Sequence, residues 1–174
     1  NNLTRGKFYQ ESDGLLVGSD SEFGYAMVGT VADESTRSVA VIVGAADENY
    51  RAAEIRKLLE YGLTAFEYRQ IETKGTFVRK IDIKDGKEKK IKTEAAADFS
   101  VLLNKDDFDK IEKKVEITKT VQAPAQKGET VGEVVYMLED KEIGRVEIVL
   151  SEDMEKAGWF TLLIRKILSF FGLD

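Results

Sequence analysis

The 174-residue sequence has no cysteine, no histidine and a single proline. Without cysteine there is no disulfide, no thiolate-bound zinc and no thiol nucleophile. Without histidine, no His–Ser or His–Asp catalysis and no His-rich metal site can arise within this chain. Positive charge is also scarce. Lys and Arg number 26 against 32 Asp and Glu, and the net charge of −6 argues against a broad nucleic-acid-binding surface. No Gly-rich phosphate loop and no EF-hand pattern is present, so neither a cofactor nor a metal is expected. No serine has lysine three positions later, and there is no Ser-x-Asn, so the parts of a Ser-x-x-Lys acyl enzyme are missing as well. The start, Asn1-Asn2-Leu3-Thr4, has neither an initiator Met nor a charged-then-apolar leader and reads as a chain cut from something longer.

The first third has α/β character. Tyr25–Val31 is a short apolar run, and Ser38–Val43 is almost continuously apolar, as in a strand buried on both faces. The short polar link Ala32–Thr36 predicts an antiparallel hairpin. From Asn49 to Phe66, Ile55, Leu58, Leu59, Gly62 and Phe66 fall on one helical stripe, with Asp47 or Asn49 as cap. The ordinary reading is a helix covering a sheet.

Near Gln70 the helical period stops. Thr76–Ile83, Phe99–Leu103, Val115–Thr118, Val131–Leu138 and Ile143–Leu150 are β-rich pieces separated by Lys/Glu/Asp turns. They predict a small all-β sandwich. The charge run Lys87-Glu88-Lys89-Lys90 reads as a solvated turn with no assigned role. The tail differs again. Trp159, Phe160, Leu163, Ile164, Ile167, Phe170 and Phe171 share one broad helical face, and residues 156–173 carry Lys156, Arg165 and Lys166 without an acid. Such a helix is too short to span a bilayer and has the pattern of one lying in the membrane interface.

Several stretches occur in an order that resembles the penicillin-binding D-alanyl-D-alanine carboxypeptidases of the class 5 type. They are Asp13-Gly14-Leu15-Leu16-Val17-Gly18, then Gly24-Tyr25, then the helix Arg51–Gly62 with Lys57-Leu58-Leu59 and Tyr61-Gly62, then Ala123-Pro124 with Lys127-Gly128 and Val131-Gly132. The resemblance covers nearly the whole chain. It implies an α+β architecture: the C-terminal remnant of a transpeptidase or β-lactamase-like domain (1–69), a β-sandwich (70–153) and a C-terminal amphipathic anchor helix (154–174).

What the family does enters as an implication of that resemblance. A serine attacks the bond between two D-alanines of a peptidoglycan stem peptide, a lysine serves as base, and β-lactams acylate the same serine. Leu16 and Val17 stand where the family's strand motif has Lys and Thr; Gly18 matches. The Ser19 backbone N–H is then the expected oxyanion donor, and Arg51 matches a helix arginine facing the substrate carboxylate. The expected substrate-binding set is Leu16, Val17, Gly18, Ser19 and Arg51, with no catalytic residue in this chain. The plainer expectation for Leu16 and Val17 is a strand-core pair. The expected partners are stem peptide and β-lactams for an intact parent, and a membrane surface for the tail, at the extracytoplasmic face of the bacterial cytoplasmic membrane. The competing reading is a non-catalytic β domain with an anchor that positions or binds wall components or proteins.

Overall fold

The computed structural model describes residues 16–170; Asp13, Gly14 and Leu15 of the Asp-Gly motif and Phe171 of the tail lie outside them. The chain divides into two compact units. One runs to Arg69 and adds Leu102–Phe108; the other holds Gln70–Val101 and the chain from Asp109 onward.

In the first unit, β1 (Leu16–Asp20), β2 (Gly24–Ala32) and β3 (Arg37–Ala45) form an antiparallel sheet in chain order. Aspartates set both turns. Asp20 Oδ1 accepts from the amides of Glu22 (2.8 Å) and Phe23 (3.2 Å). Asp33 Oδ1 accepts from the amides of Ser35 (2.9 Å) and Thr36 (2.7 Å). Those N–H groups hold the Asp33 carboxyl down at about 2, because they bond only its charged form well. Helix α1 (Glu48–Ala65) starts at Asp47, whose side chain accepts from the Tyr50 amide at 2.8 Å. That is one of the two caps expected from sequence.

The α1 stripe delivers Ile55 and Leu59, both fully buried, onto Met27, Val31 and Ala40. Each such side chain contributes about 1.5–3 kcal/mol. Gly62 allows the close approach, since a Cβ there would lie 2.1 Å from Ser38 Oγ. Leu58, expected on the same stripe, lies exposed. The apolar run of β3 also departs from expectation. Helix α1 covers one face only, and Val39, Val41 and Val43 on the other face are 57–74% exposed.

The second unit is built around a six-stranded sheet of order β8-β10-β11-β6-β5-β9. Its members are β5 (Phe77–Lys84), β6 (Lys90–Ala95), β8 (Ile111–Ile117), β9 (Val121–Gln122), β10 (Thr130–Leu138) and β11 (Lys141–Leu150). Two further strands, β4 (Phe66–Glu72) and β7 (Phe99–Asn104), pair as a ribbon. All pairings in the large sheet are antiparallel except β5 with β9.

The edges β8 and β9 are consecutive in the chain, joined by Thr118, Lys119 and Thr120. A flat sheet of six strands would put its edges about 24 Å apart. The link from Ile117 to Val121 reaches at most about 14 Å. The sheet therefore curls until its edges nearly meet, and its concave side becomes the core. Ile91, Val121, Val131, Tyr136, Ile148 and Leu150 are all fully buried there.

Among the described residues, the core of this second unit holds one charge. Glu72, nearly buried at the end of β4, accepts from the Tyr136 hydroxyl at 2.7 Å and from Lys113 Nζ at 3.0 Å. Burial alone would raise the Glu72 carboxyl, but the bonds from Tyr136 and Lys113 outweigh it and hold the group below its ordinary value of 4.5. Burial, with Glu72 alongside, pushes the Tyr136 hydroxyl up. The Phe99 ring lies 4.7 Å from that of Tyr136.

A carboxyl lowered by folding stabilises the fold above its unfolded pKa, and that contribution fades as pH falls through the folded value. Glu72→Gln is expected to cost about 1.5–3 kcal/mol at neutral pH in urea unfolding. The gap between wild type and variant should narrow below pH 4.5, the carboxyl's ordinary value. A gap that stays constant down to acid pH contradicts the assignment.

Candidate functional site

Among the described residues β1 is an edge strand, paired to β2 with Leu16 opposite Val28, Gly18 opposite Ala26 and Ser19 opposite Tyr25. Residues opposite one another share a face, so Leu16 and Val28 join Val41 of β3 on the side away from α1. This face carries a shallow apolar hollow of about 240 Å³. At the other end of β1, Ser19, Asp20, Tyr25 and Ala46 line a polar hollow of about 310 Å³.

Leu16 is 69% exposed and Val17 39%. The strand-core reading of this pair is therefore corrected. Among the described residues, Val17 has a neighbouring strand on one side only, and Leu16 points to the face that no helix covers.

Arg51 sits on the first turn of α1 and is buried. Its Nη1 donates to the carbonyl oxygens of Gly18 (3.3 Å) and Ala26 (3.5 Å), and its Nη2 meets Glu48 Oε1 at 3.3 Å. The guanidinium also stands 5.6 Å from the Tyr25 ring centroid. Its Nε is buried with no hydrogen-bond partner among the described residues. Of the expected set, the structure brings Arg51 and Gly18 into contact. Ser19 lies on the polar hollow beside them, while Leu16 and Val17 border the apolar one.

The ligand role expected of Arg51 does not include its grip on two strand carbonyls. A lone arginine in an amphipathic helix carries no pattern for a backbone acceptor. Chemically, the site holds a fixed cation behind a strand whose next amide, that of Ser19, can donate. It has no side-chain cation on the strand itself.

The second candidate surface is α2 (Trp159–Phe170). Trp159, Phe160, Leu163, Ile164 and Ile167 are 41–77% exposed, so this face is not packed on its own domain. Among the described residues no helix is long and apolar enough to cross a membrane.

The fold and these two surfaces define the class: a mixed α+β protein, mostly strand, with an edge-strand site in one unit and a curled β sheet in the other. Residues 66–156 match the family model described as penicillin-binding protein 5, C-terminal domain, and the chain belongs to that family. It is 29% identical over 160 residues to a D-alanyl-D-alanine carboxypeptidase DacF of Bacillus subtilis, covering 91% of this chain and 41% of that protein. It is 32% identical over 152 residues to DacD of Salmonella typhimurium, with coverage of 87% and 39%. Penicillin binding protein 5 from Haemophilus influenzae superposes with a TM-score of 0.55 at 26% identity, over 84% of this chain and 43% of that one. The carboxypeptidase DacD from Francisella tularensis shares the fold at TM-score 0.59 and 23% identity, over 90% and 38%. The chain thus spans about two fifths of the length of the curated relatives it matches.

Arg51→Met should free the Gly18 and Ala26 carbonyls and cost about 1.5–3 kcal/mol. Hydrogen exchange reads this directly. Amides of β1 and β2 should lose protection while those of β10 and β11 keep theirs. Unchanged β1 protection contradicts the role of Arg51 as a tie.

Proposed function

We propose that this chain is the C-terminal part of a serine-type D-Ala-D-Ala carboxypeptidase that trims the terminal D-alanine from peptidoglycan stem peptides. We divide it at 1–69 (closing part of the catalytic domain), 70–153 (β-sandwich) and 154–174 (membrane anchor). It works at the extracytoplasmic face of the bacterial cytoplasmic membrane. The observation carrying this reading is the contact of Arg51 with Gly18, in a chain whose relatives bear that activity in their names. Arg51 and the Ser19 amide then form the substrate-carboxylate and oxyanion side of a cleft, and the nucleophile comes from outside this chain. The exposed Leu16, Val39, Val41 and Val43, with half-buried Val28 on the same face, are what a sheet separated from the rest of its domain presents.

Leu16 and Val17 weaken the site. One lost charge-assisted hydrogen bond to a substrate carboxylate costs roughly 1.5–3 kcal/mol, or about tenfold to a hundredfold in affinity. That same pair favours the second reading, a non-catalytic β domain and anchor that positions or binds wall components or proteins. The test is fluorescent penicillin on the protein carrying its upstream coding sequence. The enzyme reading expects a labelled band, with labelling increased at least tenfold by Leu16→Lys with Val17→Thr. No label in either form selects the non-catalytic module.

For the tail, α2 is about 18 Å long, and its exposed aromatic and aliphatic face, with Lys156 before it and Arg165 and Lys166 within it, fits an interfacial helix. Deleting residues 158–174 spares the Ala157 amide bond to the Asp85 carbonyl (2.7 Å). The deletion should abolish co-sedimentation with anionic vesicles, and undiminished co-sedimentation contradicts the anchor.

A further inference from the structure

The charge run Lys87-Glu88-Lys89-Lys90, given no role in the sequence reading, turns out to be stitched to the base of α2. Lys87–Lys89 lie in the β5–β6 turn and Lys90 opens β6, and that turn is held from several sides. Gly86 bridges to Lys156. The Lys87 amide donates to the Glu155 carbonyl at 3.0 Å, and the Ala157 amide to the Asp85 carbonyl at 2.7 Å. Lys87 also pairs with Glu155 through its side chain, and Asp85 Oδ2 accepts from Gln122 Nε2 at 2.9 Å. Gly86 is packed so closely that a Cβ would lie 2.9 Å from the Glu88 carbonyl oxygen and 3.0 Å from Met154 Cγ.

The last tie comes from the helix itself. Arg165 donates from Nη1 to the Gly86 carbonyl and from Nη2 to the Lys87 carbonyl, both at 2.8 Å. A guanidinium fork on two successive carbonyls fixes direction as well as distance. Helix α2 is therefore joined to the turn at its start, through 154–157, and again two turns along, at Arg165. Its apolar face is left outward.

We propose that the β5–β6 turn and α2 form one composite surface for an anionic lipid bilayer, with Arg165 as the positioning residue that couples the two halves. This rests on the anchor reading of α2. Charge complementarity selects the occupant. Along the turn and the helix base, Lys84, Lys87, Lys89, Lys90, Lys156 and Arg165 outnumber Asp82, Asp85, Glu88 and Glu155 in a chain of net charge −6; Lys87 pairs with Glu155, and Lys90 stands 4.0 Å from Asp82. Lys84, Lys87, Lys89 and Lys90 are all exposed. The helix supplies apolar insertion and the turn supplies headgroup attraction, the two contributions an interfacial element needs.

The single tryptophan, Trp159, reports insertion by its emission shift, so one titration with vesicles reads the affinity of the full chain. Lys87→Gln, Lys89→Gln and Lys90→Gln together should weaken binding to phosphatidylglycerol vesicles roughly tenfold. The same triple change should leave the weaker binding to phosphatidylcholine vesicles unaltered. In an Arg165→Gln background, it should change phosphatidylglycerol binding less than twofold, because the turn no longer travels with the helix. Wild-type affinity in the triple variant overturns the proposal while leaving the anchor intact. So does an undiminished effect in the Arg165→Gln background. A wild-type chain whose Trp159 emission does not respond to either vesicle overturns the anchor and this surface together.

Discussion

Three residues, Thr118, Lys119 and Thr120, link opposite edges of the six-stranded sheet, and much of the β unit follows from that short link. It cannot cross a flat sheet, so the sheet must curl. Curling lays β9 alongside β5 in the one parallel pairing, with Ile83 opposite Val121 and Lys84 opposite Gln122. Gln122 thereby reaches Asp85, which fixes the turn that receives Ala157 and Arg165. The same curvature makes a concave interior deep enough to bury Tyr136 completely. Its hydroxyl then needs an acceptor, and Glu72 supplies one. An edge-to-edge constraint in the backbone thus accounts for both the charged group in the core and the seat of the terminal helix.

The unit holding β1–β3 is organised by a different means, backbone acceptors answered by side chains. Asp20, Asp33 and Asp47 each accept amides at a turn or helix start, and Arg51 donates to two strand carbonyls. Such bonds depend on where the backbone runs. They leave the outward side chains of β1, Leu16 among them, free to vary without loosening the strand.

Legibility in the sequence tracked this distinction. Helix α1 and the pair β2 and β3 were readable because each buries a single apolar stripe or a short β-branched run. Strands β10 and β11 were readable for the same reason. Strand β6 was not. In Lys-Ile-Lys-Thr-Glu-Ala only Ile91, Thr93 and Ala95 face inward, and the charges between them read as a turn. Strand β9 has only two residues, too few for any period. The run in β3 was read as doubly buried because apolar content reports what a strand is suited to cover, not which cover is present. Asp47 was legible as a cap from its place before the helix, whereas the carbonyl partners of Arg51 and Arg165 come from 33 and 79 residues away and leave no local trace.

The pair Leu16 and Val17 is best judged by what it contributes to this fold. Full burial of a leucine or valine is worth about 1.5–3 kcal/mol, but Leu16 is 69% exposed and Val17 39%. For Leu16 most of that stabilisation is therefore not realised within the described residues, and for Val17 about two fifths of it is not. Nor do these side chains hold the strand in place, since Arg51 grips β1 through the Gly18 carbonyl and the β2 ladder does the rest. An edge strand of apolar residues is moreover a liability that charged residues normally relieve. The stability of these units therefore does not account for an exposed leucine on this strand. What accounts for it must act on the face of β1 turned away from α1: a layer that covers Leu16, or a ligand that packs against it.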